Sequence, residues 1–517
     1  MNPNRTVAII GGGPAGLVSC KSALEAGMLP TLFEKNRDIG GVWSKSSGFV
    51  WDSLRVNFAV YAMVFSDFPW EADWHTGNYP PHVQLSQYLE RYANHFNLMK
   101  HIKFNSTVTR VYQAPGSQRW TVQYNQDQSE TFDCVIVASG KFNNPRTPNI
   151  PGIESFTGTY IHSREYKNRQ QFRGQSFLVV GDNHSGAEIS ADLAGNHDDV
   201  SVTQLMKRPK WIIKREQPRY LLDPTKEPAV EEEEAPSKET VPYEFILYCR
   251  KSIDYDNEKY KSPEERFIHK NEWLSKLCSK QQTNENLRKQ LPIQDTPSYT
   301  ISDVYTDLVL KGRITIERSE VIRIDGKTIH FSKGEPKQFD HIIFANGYSY
   351  EISFLDKDLL EDLHYDPSNR LIPIALHKSV FPPTKWQNIA FVGWYVGALF
   401  PVTELQSRWV SQVLSQQMSP PTSEQINAGI LDELAIRKNR FNLRLPHANM
   451  VVMADKIASQ FGVLPDFERI KREDPDLYKL IYNNFSSPAI YRLSGPYSKP
   501  ELAKQILSNI NKQFYDI

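Results

Sequence analysis

The order of apolar and polar positions divides this chain into alternating strand-like and helix-like stretches. Residues 7–10 form a short unbroken apolar run, the pattern of a buried parallel strand. A helical pattern follows over about residues 15–26 and stops at Gly27, a residue suited to closing a helix. A second strand-like run covers 30–33. The same strand, glycine turn and helix order recurs from Phe177 in FLVVGDNHSGAEI. Further strand patterns lie at 132–138 and in HIIFANGY after Phe339. Residues 216–298 are polar and irregular, and predict an added helical and loop subdomain whose EEEE run, Glu231 to Glu234, is a solvated surface loop. The longest apolar stretch, 389–402, contains Gly393 and Gly397 and reads as core, since a membrane span needs about 20 residues. Residues 501–517 carry an amphipathic helical pattern. The predicted class is α/β, with two Rossmann-like dinucleotide-binding units.

The first turn supplies the G-x-G-x-x-G spacing through Gly11, Gly13 and Gly16. Gly11 permits the tight turn, Gly13 lets backbone approach a pyrophosphate, and Gly16 lets helix pack on strand. The helix N-terminus then points its N–H groups at the phosphates. Glu34 ends the second strand, where a carboxylate accepts from ribose hydroxyls. Gly40, Gly41 and Trp43 are expected in a turn close to the same ligand. The second loop departs from this pattern. Gly181 and Gly186 are present, but Asn183 takes the middle glycine position. Asparagine tolerates left-handed backbone, so the turn is expected to survive, with the side chain narrowing the approach to the phosphates. Gln204 stands where an acid would read a ribose, and Lys207 and Arg208 follow. A missing acid with two cations nearby suits a 2′-phosphate, hence NADP in preference to NAD. Two such loops in one chain predict a flavin and a nicotinamide brought face to face.

Composition narrows the remaining classes. The chain has 517 residues, with 60 basic and 60 acidic side chains, so no field for nucleic acid or anionic membrane is implied. The start runs almost directly into a strand, so no secretory signal is expected, and a cytoplasmic location follows as an expectation. Nothing resembles a metal site. Cys20, Cys134, Cys249 and Cys278 are scattered without a C-x-x-C. A flavin disulfide reductase needs a redox-active pair, so dioxygen is the expected electron acceptor.

Several motifs together resemble the flavin-containing monooxygenases, class B of the flavoprotein monooxygenases. The signature F-x-G-x-x-x-H-x-x-x-Y/F-K is matched by Phe156, Gly158, His162, Tyr166 and Lys167. Baeyer–Villiger enzymes carry Trp followed by Pro or Asp at the Tyr166–Lys167 position, so the resemblance favours the N/S-oxygenating branch. LRVNFAVYAMVFSDFPW resembles that branch's L-x-T-N…F-S-D-F-P stretch, with Asn57 at the asparagine beside the flavin. FANGY is similar to F-A-T-G-Y, with Asn346 for threonine, and GALFPVTELQSRW and YRLSGP resemble two C-terminal blocks.

The resemblance implies FAD and NADPH as cofactors, O2 and a small amine or thioether as substrates, and a C4a-hydroperoxyflavin. It places Asn57 as the catalytic residue, hydrogen-bonding near the flavin. The expected flavin contacts are Gly11, Gly13, Pro14, Ala15, Gly16, Glu34, Lys35, Gly41, Val42, Trp43, Asn57, Val108, Ser139 and Gly140. Ser163, Tyr166, Gly181, Asn183, His184, Ser185, Gly186, Lys207 and Arg208 are expected at NADPH, with Asn346, Gly347 and Gln406 near the two cofactors. Glu404 is expected to be structural, as are Trp51, Phe58, Tyr61, Phe65 and Phe68. The expected domains are residues 1–168 for FAD, 169–334 for NADPH with the 216–298 insertion, and 335–517 for the second FAD portion. Two alternatives stay open: a Baeyer–Villiger monooxygenase acting on ketones, although no arginine is marked for that role, and a degenerate nucleotide-binding flavoprotein. A homodimer is also left open.

Overall fold

The computed structural model describes residues 4–142, 144–195, 199–229, 239–285, 287–288, 296–397, 399–438, 447 and 449–515. Two parallel five-stranded sheets organise them. In the first, the strands run Ile389–Phe391, Cys134–Val137, Thr6–Ile10, Leu29–Phe33 and Ile102–Lys103 across the sheet. Its central strands are apolar on both faces because helices and a small antiparallel sheet cover both sides. In the second, the order is Ile314–Glu317, Ser201–Leu205, Ser176–Val180, His341–Phe344 and Thr159–His162.

Sheet membership runs across the expected boundaries. His341–Phe344 pairs with Ser176–Val180 on one side and Thr159–His162 on the other. Thus both strands assigned from the sequence to the flavin portions, within 1–168 and 335–517, belong to the second sheet. The chain re-enters the first sheet at Ile389–Phe391, beside Cys134–Val137. Apolar runs show that a strand exists; they do not show which sheet it joins.

The apolar stretch at 389–402 is core, as expected: it contributes that strand and the start of the helix Leu399–Leu414. The C-terminal helix spans Pro500–Phe514 and buries Ala503, Leu507, Ile510 and Phe514, one stripe at helical spacing. The Glu231–Glu234 run lies outside the described residues. The rest of the polar stretch is helical in part, with Tyr243–Leu247, Arg250–Lys259 and Pro263–Leu277. It is not a surface appendage. Phe245 is buried against Tyr61, Phe485, Phe514 and Tyr515.

Buried charges tie the N- and C-terminal motifs together. Arg492 donates to Glu404 at 2.9 Å and to Ser66 Oγ at 2.7 Å, and Glu404 accepts from the Ser66 N–H at 2.7 Å. Asp67 takes Lys21 at 2.7 Å and Lys499 at 2.8 Å; burial pushes its carboxyl up, but Arg492, Lys21 and Lys499 together hold it below the ordinary range. Three family-like motifs therefore meet in a structural network, where loss of one partner would leave a buried charge uncompensated. The four cysteines are free and buried apart from one another. Among the described residues no helix is long and apolar enough to cross a membrane.

Candidate active site

The first loop is shaped by what lies against its glycines. Gly11 has φ +106°, and a Cβ there would stand 2.7 Å from the Ala138 carbonyl oxygen. A Cβ on Gly16 would fall 1.8 Å from the Gly11 carbonyl oxygen. Gly13 differs: its nearest neighbour to a built Cβ is Gly41 Cα at 3.5 Å, ordinary contact. The protein does not itself require glycine at 13, which leaves close approach of a ligand as the reason. Pro14 opens the helix Pro14–Glu25, whose first turn carries no acid to neutralise its positive end. Gly40 N–H donates to the Gly12 carbonyl at 2.9 Å and places the Gly41–Trp43 turn over the loop, as expected.

Glu34 is buried. Its two oxygens accept from Gly12 N–H and Asn36 N–H, each at 2.7 Å. Burial pushes its carboxyl up and the two amides pull it back. Each oxygen keeps a lone pair for a hydroxyl. The Glu34 carbonyl also accepts from Ser106 N–H at 2.8 Å, which brings the strand Val108–Gln113 alongside. Lys35 is exposed. Ser139, next to Gly11, has a buried Oγ with no hydrogen-bond partner, and Gly140 follows at φ +76°. A buried orphan hydroxyl beside a ligand-shaped loop fits a bound dinucleotide.

The second loop is held by side chains. Gly181 and Gly186 are sterically required, since a Cβ on either meets carbonyl oxygen at 2.4 or 2.3 Å. The turn survives, as expected, and Asn183 sits in it without taking up left-handed backbone. It accepts the first helical hydrogen bond from Ala187 at 3.0 Å, and its Oδ1 accepts from Lys210 at 3.2 Å. The same lysine donates to Asp182 at 2.6 Å. Lys210 was not foreseen; it lies beyond the expected cation pair and is buried. Gln204 is also fully buried, donating to the Gly181 carbonyl at 2.7 Å and accepting from Tyr305. It buttresses the turn. Lys207 and Arg208 are exposed at the rim, with Lys207 paired to Glu320 at 2.6 Å. Such a pair contributes at most about 1 kcal/mol, so a phosphate can replace the carboxylate.

Between the loops runs a cleft of about 1760 Å³. Val42, Trp43, Asn57, Ser163, Gly181, Asn183, His184, Ser185, Lys207, Arg208, Asn346 and Gly347 all line it, so the structure brings these expected residues together. Trp51 and Phe58 line it as well, although Trp51 is mostly core. Two expected contacts are corrected. Tyr166 is fully buried, donates to Asp192 and packs on Trp51 and Phe172. Gln406 is fully buried, with its amide spent on Gly393 N–H at 3.0 Å and the Ser379 carbonyl at 3.4 Å. Each packs inside because the motif that contains it joins elements. Lys167, for example, donates to the Gly48 and Val50 carbonyls at 2.7 and 2.8 Å, strapping the signature to the first unit. His162 bridges Gly347 O and Arg164 N–H, and burial lowers its basicity.

Asn57 contacts a residue with no sequence signal. Arg215 Nη2 donates to Asn57 Oδ1 at 2.8 Å and to Glu188 at 3.0 Å. Its Nη1 donates to Asp303 at 2.7 Å, and its Nε to the Val56 carbonyl at 3.1 Å. An arginine therefore does face Asn57, but two carboxylates balance its charge.

The family described as Flavin-binding monooxygenase-like matches residues 4–221 and 268–517. The chain belongs to this family. Dimethylaniline monooxygenase [N-oxide-forming] 2 of Pan troglodytes is 30% identical, over 95% of this chain and 89% of that protein. Among solved structures, S-allyl-L-cysteine S-oxygenase from Allium sativum shares 21% identity with a TM-score of 0.60, covering 98% of this chain and 99% of that one. Cyclohexanone monooxygenase from Rhodococcus sp. Phi1 bound to NADP+ shares 16% identity with a TM-score of 0.61, covering 89% and 97%. This flavin-binding monooxygenase is accordingly a flavin-dependent monooxygenase with FAD and NADP as its cofactors. The orphan Ser139 hydroxyl, the ligand-shaped Gly13 and the cleft between two open helix ends fit that pair.

Proposed function

We propose that the protein oxygenates a nucleophilic nitrogen or sulfur of a small molecule. The observation that carries this reading is the balanced charge on Arg215. Oxygen insertion beside a ketone builds negative charge on the substrate oxygen, and an uncompensated cation must hold it. Arg215 is committed to Glu188 and Asp303 and offers Asn57 a hydrogen bond without net charge. An uncharged lone pair on nitrogen or sulfur needs no such cation. The N-oxide-forming name of a 30%-identical relative supports the same reading.

When bound, NADPH supplies the hydride and reduced FAD activates O2. This chain's residues do the rest. The loop around Gly13 and the open end of Pro14–Glu25 hold one pyrophosphate, and Gly181 to Ser185 the other. Lys207 and Arg208 read the 2′-phosphate. Asn57, oriented by Arg215, presents its amide N–H group to the flavin side of the cleft. Phe58, Trp51 and Met63 keep water away from that face.

The test is product analysis with NADPH, air, and paired amine, sulfide and ketone probes of similar size. The expected main products are N-oxide and S-oxide. Ester or lactone alone would promote the Baeyer–Villiger reading.

A further inference from the structure

Residues 222–267 fall between the two portions that the family profile matches, yet they reach the Asn57 loop. The helix Tyr243–Leu247 carries Glu244, fully buried beneath that loop. Its Oε1 accepts from Ala59 N–H at 2.6 Å, two residues past Asn57. Its Oε2 lies 2.6 Å from the Tyr79 hydroxyl, and the same hydroxyl lies 2.7 Å from the Arg215 carbonyl oxygen. Next to Glu244, the Tyr243 hydroxyl donates to the Asn57 carbonyl at 3.4 Å.

A proton count decides the state of this cluster. Tyr79 has a single hydroxyl proton, and two oxygens stand within hydrogen-bond distance of it. A carbonyl oxygen cannot donate. If Tyr79 serves Arg215, the Tyr79–Glu244 contact needs a proton on Glu244. We infer that Glu244 is a positioning residue for Asn57: as a neutral acid it donates to Tyr79, Tyr79 donates to the Arg215 carbonyl, and the Arg215 side chain is thereby held on Asn57. The inference rests on the role given to Asn57 above.

The surroundings favour the neutral acid. Burial first, with Glu216 adding to it, raises the Glu244 carboxyl to about 8 against the hydrogen bonds from Tyr79 and Ala59. The groups that face it are Glu216 and Tyr79 from neighbouring segments, Tyr243 on its own helix and Tyr248 just past that helix. Tyr79 stays protonated throughout, since burial and Glu244 push it well above its ordinary value. The chain of donors is therefore intact at neutral pH and is lost as pH rises through about 8. The carboxylate then claims the Tyr79 proton, and the Arg215 carbonyl keeps the Tyr243 N–H at 3.0 Å.

The experiment compares wild-type, Glu244→Gln, Glu244→Ala and Asn57→Ala holoenzymes. Stopped-flow flavin reduction by NADPH and hydrogen peroxide released per NADPH are followed from about pH 6.5 to about pH 9, and infrared difference spectra between those limits report the protonated carboxyl band. Glutamine mimics the neutral acid: its amide donates to Tyr79 and its carbonyl accepts from Ala59. Glu244→Gln is therefore expected to keep the wild-type leak at neutral pH and to lose the rise seen above about pH 8. Glu244→Ala is expected to leak about fivefold more peroxide at every pH, with flavin reduction unchanged within about twofold. The wild type is expected to show an acid band that Glu244→Gln lacks. No such band, or a glutamine variant that leaks like the alanine variant, would overturn the inference. An Asn57→Ala variant with wild-type leak would instead overturn the role of Asn57, while the infrared band still decides the Glu244 proton.

Discussion

The two nucleotide loops share one fold and differ in what holds them. The first is held by close backbone contacts and one carboxylate: Gly11 and Gly16 leave no room for a Cβ, and the Glu34 side chain accepts from two amides. The second keeps those two steric glycines but recruits side chains, with Lys210 clamping Asp182 and Asn183 and Gln204 propping Gly181. The difference teaches that only part of a glycine fingerprint is a folding requirement. The first and third glycines are fixed by carbonyl oxygens of the protein. The middle position answers to the ligand, so it can change when other side chains take over the shape of the turn.

The sharpest break of this comparison is Gly16→Ala against Gly13→Ala. With a Cβ 1.8 Å from a carbonyl oxygen, Gly16→Ala is expected to destabilise by about 4 kcal/mol or more, read as lost thermal stability of the apoprotein. Gly13→Ala should melt like the wild type yet bind FAD about tenfold more weakly, which is about 1.4 kcal/mol. Parallel melting losses in both variants would erase the distinction. Next in size is Gln204→Leu. It strands the Gly181 carbonyl and the Tyr305 hydroxyl in the core, at about 1–3 kcal/mol for each unpaired group. A stability loss without damage to the first loop, seen as unchanged FAD binding, is the expected result.

A smaller effect is expected from Lys207→Ala with Arg208→Ala. The apparent Michaelis constant for NADPH should rise about tenfold, while that for NADH stays nearly unchanged, since charge-assisted contacts to a phosphate contribute roughly 1.5–3 kcal/mol. Equal losses for both nucleotides would show that these rim cations do not read the phosphate. Smallest is Asn183→Gly. Freed of the side chain, the loop should bind NADPH about two- to threefold tighter. A weaker grip would mean that the Lys210–Asn183 contact presents the loop to the nucleotide, and the first loop would then be the less typical of the two.

Much of this was legible because it is local. Strand, glycine turn, helix and second strand are consecutive, and period and spacing suffice to find them. The apolar run at 389–402 and the amphipathic C-terminal helix carried their burial in their pattern. Motif resemblance singled out Asn57, Ser163 and Asn346, and the structure sets all three along one cleft. The same resemblance overreached at Tyr166 and Gln406, because a motif can persist for packing as well as for contact with a ligand.

What the sequence determined by itself is the existence of two nucleotide-binding turns and the chemistry of the residues in them. Tertiary structure decided which sheet receives Thr159–His162 and His341–Phe344, and that Arg215 meets Asn57 across 158 positions of chain. It also decided that Glu244, in a stretch that reads as polar and irregular, lies fully buried under the cleft. The physical reason is range. Periodicity and turn chemistry act over a few residues, whereas a buried charge acquires its partners from whatever segments the fold packs around it.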